Sequence, residues 1–182
     1  MNKNTEPVRF QGLYEWMQSI VIVFLIILCL LTFIGRPMGV HGYSMMPTLS
    51  EDDRMIIRSI GYTPDRGDVI VFSRHDFEEG AALVKRVIAL AGDVVNLDAV
   101  AGMVYVNGIL QDEPYINDLT RRAGNMSFPF TVPEGHVFVL GDNRNHSTDS
   151  RDMTIGAVDE REIIGQVVAV VLPFNRARFS FD

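Results

Sequence analysis

Downstream of residue 35 the chain carries thirteen arginines and a single lysine, Lys85. Arginine stays protonated in proteins, whereas a lysine amine loses its proton when desolvated, so Lys85 alone among these cations is equipped to act as a general base. It falls in the apolar run LVKRVIALA, residues 83–91. Period-2 alternation places it there on one face with Leu83, Val87 and Ala89, surroundings expected to lower its pKa from about 10.4. Such a base needs a nucleophile. Ser44 stands in GYSMMPTL, residues 42–49, a turn punctuated by Gly and Pro. Backbone N–H groups in such a turn are free to face a reacting carbonyl. Taken singly, the lysine reads as a side chain snorkelling from a strand edge and the serine as a turn former. Taken together they read as a nucleophile and its base.

Other chemistries lack their residues. There is no Walker loop and no GxGxxG, and His41, His75, His136 and His146 show neither HExxH nor paired-ligand spacing. No cofactor and no metal is expected. A serine nucleophile with a histidine base would want a GxSxG elbow, and the chain has none. The single cysteine, Cys29, excludes an intrachain disulfide and a CxxC pair. A net charge of −7 and a pI near 5.0 offer no basic face for phosphates, so nucleic acid is not an expected partner.

The elements that must position Ser44 and Lys85 divide at residue 35. No charged residue occurs from Trp16 to Gly35, and Ile20 to Ile34 reads IVIVFLIILCLLTFI. Its length suits a membrane-crossing helix, and the bulky residues at its end argue against cleavage as a signal peptide. The expected organisation is an N-terminal tail over 1–15, a transmembrane anchor over 16–35 and a β domain over 36–182. Lys3 and Arg9 before the span favour a cytoplasmic tail, which places the domain outside the plasma membrane. That domain carries fourteen basic and twenty-one acidic residues, so the acidic excess belongs to it. Ser44, nine residues beyond Gly35, must lie within roughly 32 Å of the membrane face. Met38, Met45 and Met46 near it suit either the lipid boundary or ordinary packing.

Strands are expected at Arg54–Arg58, Asp68–Ser73, Leu83–Ala91, His136–Leu140 and Ile163–Leu172, with a hairpin over Met103–Leu110 turning at Asn107-Gly108. Residues 117–127 form a polar excursion. The fold class is mainly β, one antiparallel domain behind one membrane helix.

Four blocks, GYSMMPTL (42–49), GDVIVF (67–72), VKRVIALAGD (84–93) and GDNRNHSTDSR (141–151), occur in this order behind an anchor. Together they resemble the type I signal peptidases, membrane-bound Ser/Lys endopeptidases, over nearly the whole chain. The resemblance implies that Ser44 is the nucleophile, with its own N–H in the oxyanion hole, and Lys85 the general base. It further implies that Ser147 orients the lysine amine, that Asp149 and Arg151 brace the site, and that Asp142, Arg144 and Arg86 form a supporting ion-pair set. Implied partners are membrane lipid and exported preproteins, cut after small residues in an Ala-x-Ala pattern. The walls of the substrate pocket are expected from residues 68–72 and 83–87. Two positions depart from the family: Gly42, where some relatives carry a serine that assists the oxyanion hole, and Asn145-His146, where acidic and amide residues are common. Two rivals share features with this reading. Self-cleaving repressors have a related Ser/Lys fold but carry a DNA-binding domain where this chain has an anchor. A non-catalytic anchored β domain that binds exported proteins is the other.

Overall fold

The computed structural model describes residues 11–33, 36–74, 81–179 and 181. A helix, α1 (Gln11–Phe33), precedes the strands. Its side chains from residue 12 to 28 are exposed on every side, Leu13, Trp16, Phe24 and Leu28 among them. Counted over the described residues, no helix is long and apolar enough to cross a membrane. The expected 16–35 span runs past those residues, because Ile34 and Gly35 lie outside them, as do residues 1–10 of the expected tail.

The strands are β1 (Arg36–Gly39), β2 (Arg54–Arg58), β3 (Val69–Ser73), β4 (Ala82–Ala89), β5 (Val94–Asp98) and β6 (Met103–Val106). They continue as β7 (Ile109–Leu110), β8 (Phe130–Thr131), β9 (His136–Leu140), β10 (Val158–Asp159) and β11 (Ile163–Leu172). A seven-stranded sheet has the order β1-β2-β11-β3-β4-β9-β10, and a four-stranded sheet the order β7-β6-β5-β8. Every pairing is antiparallel, as the mainly β reading expects.

Burial follows the sequence pattern. In β2 the arginines at both ends face water while Met55 and Ile57 are buried, the alternation of a half-covered strand. Lying inside the sheet between β11 and β4, β3 is instead a continuous buried run, Val69 to Phe72. The Asn107-Gly108 turn forms as its residue types require, with positive φ at both positions (53° and 78°) and Val106 paired to Ile109.

The ladder also corrects one expectation about Lys85. Lys85 pairs across to Ile70, and Leu83 and Val87 on its face pack with Ile70, Phe72 and Val139. Ala89 does not share that face, because the pairing of β4 with β9 slips between Val87 and Ala89 and sends Ala89 into a separate cluster with Val95 and Phe138. Four strands, β1, β5, β8 and β10, were not expected. Residues 117–127 contain no helix or strand, in keeping with a polar excursion.

Candidate active site

Ser44 lies in the connection from β1 to β2. The connection is closed at its base by Val40 N–H donating to Asp53 O and Asp52 N–H donating to Val40 O, at 2.9 and 3.2 Å. Within it, Met45 and Leu49 are buried in the cluster that also holds Val40, Met55 and Val71, which pins the turn to the sheet. Met45 is therefore a core residue and not a contact for lipid. Gly42 takes φ 84°, a conformation that favours glycine, so the missing serine at this position has a backbone reason. The Ser44 N–H donates to no acceptor among the described residues, while Ser44 O accepts from Asn143 N–H at 3.0 Å. Asn143 Nδ2 also donates to Tyr43 O at 3.1 Å.

Lys85 reaches this turn from β4. Its Nζ donates to Ser44 Oγ at 2.8 Å and to Val84 O at 3.0 Å. Lys85 is 3% exposed, and Ser44 is half-buried. Ser147 is buried beside them, its hydroxyl packed against Gly141, where an added Cβ would come within 2.2 Å of Ser147 Oγ and 2.5 Å of Ser44 O. That hydroxyl lies near Asp149 but has no hydrogen-bond partner among the described residues.

The charged residues of 141–151 form buried pairs. Asp142 accepts from Arg86 Nε and Nη2 at 2.9 and 2.8 Å. Arg86 Nη1 donates to Gly67 O and Phe181 O. Arg144 pairs with Glu113 at 2.7 Å and donates from Nε to Gly141 O. Asp149 accepts from Arg151 at 2.8 and 2.7 Å and from Gly141 N–H at 3.0 Å. Burial alone would raise the Asp149 pKa, but the Arg151 guanidinium and the Gly141 N–H more than offset it and hold the carboxyl below its ordinary range. Arg151 also donates to Arg122 O and Arg144 O, tying the segment to the polar excursion.

Two clefts meet at this pair. One, of 490 Å³, runs between residues 38–42 and 81–85, and the other, of 380 Å³, is lined by Tyr43, Asn143, His146 and Thr148. Ser44, Lys85, Gly42 and Leu83 border both. Along the first cleft β4 is paired by β3 from Ala82 to Arg86, whereas β9 joins its other edge only at Arg86. Among the described residues, no strand pairs with that edge of β4 at residues 82–85. Residues 68–72, offered by the sequence as candidate pocket walls, line neither cleft: Ile70 and Phe72 are fully buried in the cluster with Val87, Val137 and Val139, and the residues from Met38 to His41 line the first cleft. Sequence reasoning also passed over Asn143, which lies inside a matched block, and Glu113, Tyr115 and Thr120, for which no pattern gave a signal.

A half-buried serine and a buried lysine, joined at the meeting of two clefts on an antiparallel sheet, are the furniture of an acyl-transfer hydrolase. The family model described as signal peptidase, peptidase S26, matches residues 13–172. Signal peptidase I of Bacillus licheniformis is 34% identical over 98% of this chain and 98% of its own. Signal peptidase IB of Staphylococcus aureus is 36% identical over 93% and 95%. Signal peptidase I S of Bacillus subtilis is 36% identical over 97% and 98%. Among solved structures, signal peptidase I from Enterococcus faecalis matches with 32% identity and a TM-score of 0.46, covering 58% of this chain and 97% of that one. The chain belongs to the type I signal peptidase family, peptidase S26. It is accordingly a membrane-associated peptidase, which sets aside the non-catalytic binding domain.

Proposed function

We propose that this peptidase removes signal peptides from exported preproteins at the outer face of the plasma membrane, with Ser44 as nucleophile and Lys85 as general base. The observation that carries the reading is the 2.8 Å contact between Lys85 Nζ and Ser44 Oγ at the junction of the two clefts. Burial disfavours the ammonium form, and in its neutral form the Lys85 amine accepts the Ser44 proton as Oγ attacks the scissile carbonyl. The resulting ammonium gives that proton to the leaving amine, whose C–N bond breaks. Water then attacks the acyl-enzyme, Lys85 takes its proton, and Ser44 is regenerated. The carbonyl oxygen of the tetrahedral intermediate is held by the Ser44 N–H, which has no acceptor among the described residues.

The residues ahead of the cut lie along the open edge at residues 82–85, extending the sheet by one strand. Val40, Met45 and Leu83 offer small apolar surfaces there, which suits Ala-x-Ala. Ser147 orients the lysine amine, and Asp149 with Arg151 fixes Gly141 beside it. Arg86, Asp142 and Arg144 hold β4 against the 141–151 segment.

The apolar stretch 16–35 is the single membrane anchor, with residues 1–15 cytoplasmic and 36–182 outside. A helix whose apolar side chains over residues 12–28 are exposed on every side is stable in lipid and not in water, which supports the anchor, and Lys3 and Arg9 ahead of it favour the cytoplasmic tail. A probe carrying an activated carbonyl behind an alanine tests the site. It should acylate the Ser44 peptide in the full-length chain and fail to do so in Ser44→Ala. Equal labelling of Ser44→Ala would refute Ser44 as nucleophile.

A further inference from the structure

Residues 112–122 have no helix or strand, yet they hold side chains against Arg86 and Arg144, the most deeply buried cations among the described residues. Glu113 accepts from Arg144 Nη1 and Nη2, both at 2.7 Å, and Thr120 Oγ1 accepts from Nη1 at 2.8 Å. The Tyr115 ring lies over the Arg86 guanidinium, its centroid 3.9 Å from Cζ, with Arg144 Cζ at 5.9 Å. Burial, with Glu113 beside it, pushes the Tyr115 pKa up to about 12, so the phenol is neutral and leaves the cationic face to the ring.

The two arginines belong to different parts of the site. Arg86 follows Lys85 on β4, and Arg144 belongs to the 141–151 segment. They are joined through Asp142, which Arg86 grips, and through Asn143 between them, whose two N–H donors hold Ser44 O and Tyr43 O. The path from the lysine to the serine backbone is therefore Lys85, Arg86, Asp142, Asn143, Ser44. Tyr115 covers the first ion pair on this path, and Glu113 neutralises the neighbouring cation.

We infer that the Glu113–Tyr115 strap is a positioning device, which closes over Arg86 and Arg144 and thereby fixes the spacing between Lys85 and Ser44. The inference rests on the reading of these two residues as the reacting pair. A planar ring over a desolvated guanidinium both attracts it and keeps water from its ion pair. Without the ring, water reaches Arg86, the grip on Asp142 loosens, and β4 is free to shift against the turn that carries Ser44.

The test uses the full-length chain in detergent and a preprotein with an Ala-x-Ala site, measuring kcat, KM and thermal unfolding. Tyr115→Leu should lower kcat by about 10- to 100-fold, the loss typical of a misplaced reacting group, with KM unchanged and the fold intact at the assay temperature. Tyr115→Phe keeps the ring and should restore kcat, because the hydroxyl makes only a 3.3 Å contact with Glu113. If Tyr115→Leu does not fold, Glu113→Gln carries the test, since it keeps the shape and removes the charge and should also lower kcat at unchanged KM. Wild-type kcat in Tyr115→Leu, or in Glu113→Gln where that variant stands in, would overturn the inference. An equal loss in Tyr115→Phe would also overturn it. Wild type unable to cleave at all would overturn the proposed peptidase chemistry, and the strap with it.

Discussion

Replacing Asp142 by alanine should be among the most damaging single changes outside the apolar core. Arg86 and Asp142 are 1% and 0% exposed, and their contact is a two-pronged one at 2.9 and 2.8 Å. Removing the carboxylate leaves a guanidinium that Gly67 O and Phe181 O solvate only in part. Breaking a buried pair from one side costs about 3–5 kcal/mol. For a protein of this size each kcal/mol lowers Tm by about 2–4 °C, so Asp142→Ala should unfold roughly 6–20 °C below wild type. The control is Arg66→Ala. Arg66 and Asp93 approach more closely, at 2.5 Å, but the Arg66 side chain is 46% exposed, and exposed pairs contribute about 0–1 kcal/mol. Circular dichroism melts of the three proteins in one detergent at one pH give the comparison. A Tm loss in Asp142→Ala no larger than that in Arg66→Ala would refute the reasoning that burial, and not distance, sets the worth of these pairs.

Ser147→Ala removes a buried hydroxyl that has no hydrogen-bond partner among the described residues, so Tm should hold or rise while kcat falls. Unchanged kcat would remove Ser147 from the lysine-orienting role. In Gly141→Ala the new methyl would meet Ser147 Oγ and the Ser44 carbonyl at 2.2 and 2.5 Å, so cleavage should fall about 100-fold as Ser44, the proposed nucleophile, is displaced, read as kcat on the same preprotein. Asp149 has its pKa held below the ordinary carboxylate value in the folded protein. Its contribution is therefore complete above the unfolded value of about 3.9 and is lost as pH falls from there through the folded pKa. Asp149→Asn should lower Tm at neutral pH and narrow its gap to wild type below about pH 4, in melts across a pH series.

Much of this site was legible in the chain because its chemistry is written in residue types. A lone lysine among arginines, a serine between Gly42 and Pro47, and the Asn107-Gly108 turn each carry a local physical reason. The expected strand bounds at Arg54–Arg58, His136–Leu140 and Ile163–Leu172 match those observed, since their apolar runs are bounded by turn residues or charge. Elements held mainly by partners were not legible. The four residues of β1 show no alternation and are strand because β2 pairs with them residue for residue. The slip that sends Ala89 away from Lys85 comes from β9, remote in sequence. Glu113 and Tyr115 look like any loop residues until Arg86 and Arg144 are brought beneath them. Residues 68–72 line neither cleft for the same kind of reason, since the apolar run of β3 marks a strand but not the clusters that bury both its faces.

The most direct test of the central claim is cleavage of an Ala-x-Ala preprotein by the full-length chain and by Lys85→Arg, with thermal unfolding of each as the folding control. Arginine keeps the positive charge and does not yield its proton, so it separates a base from an ion-pair partner. A folded Lys85→Arg without measurable cleavage, beside an active wild type, is the expected result. Equal cleavage by the two proteins would contradict Lys85 as the general base.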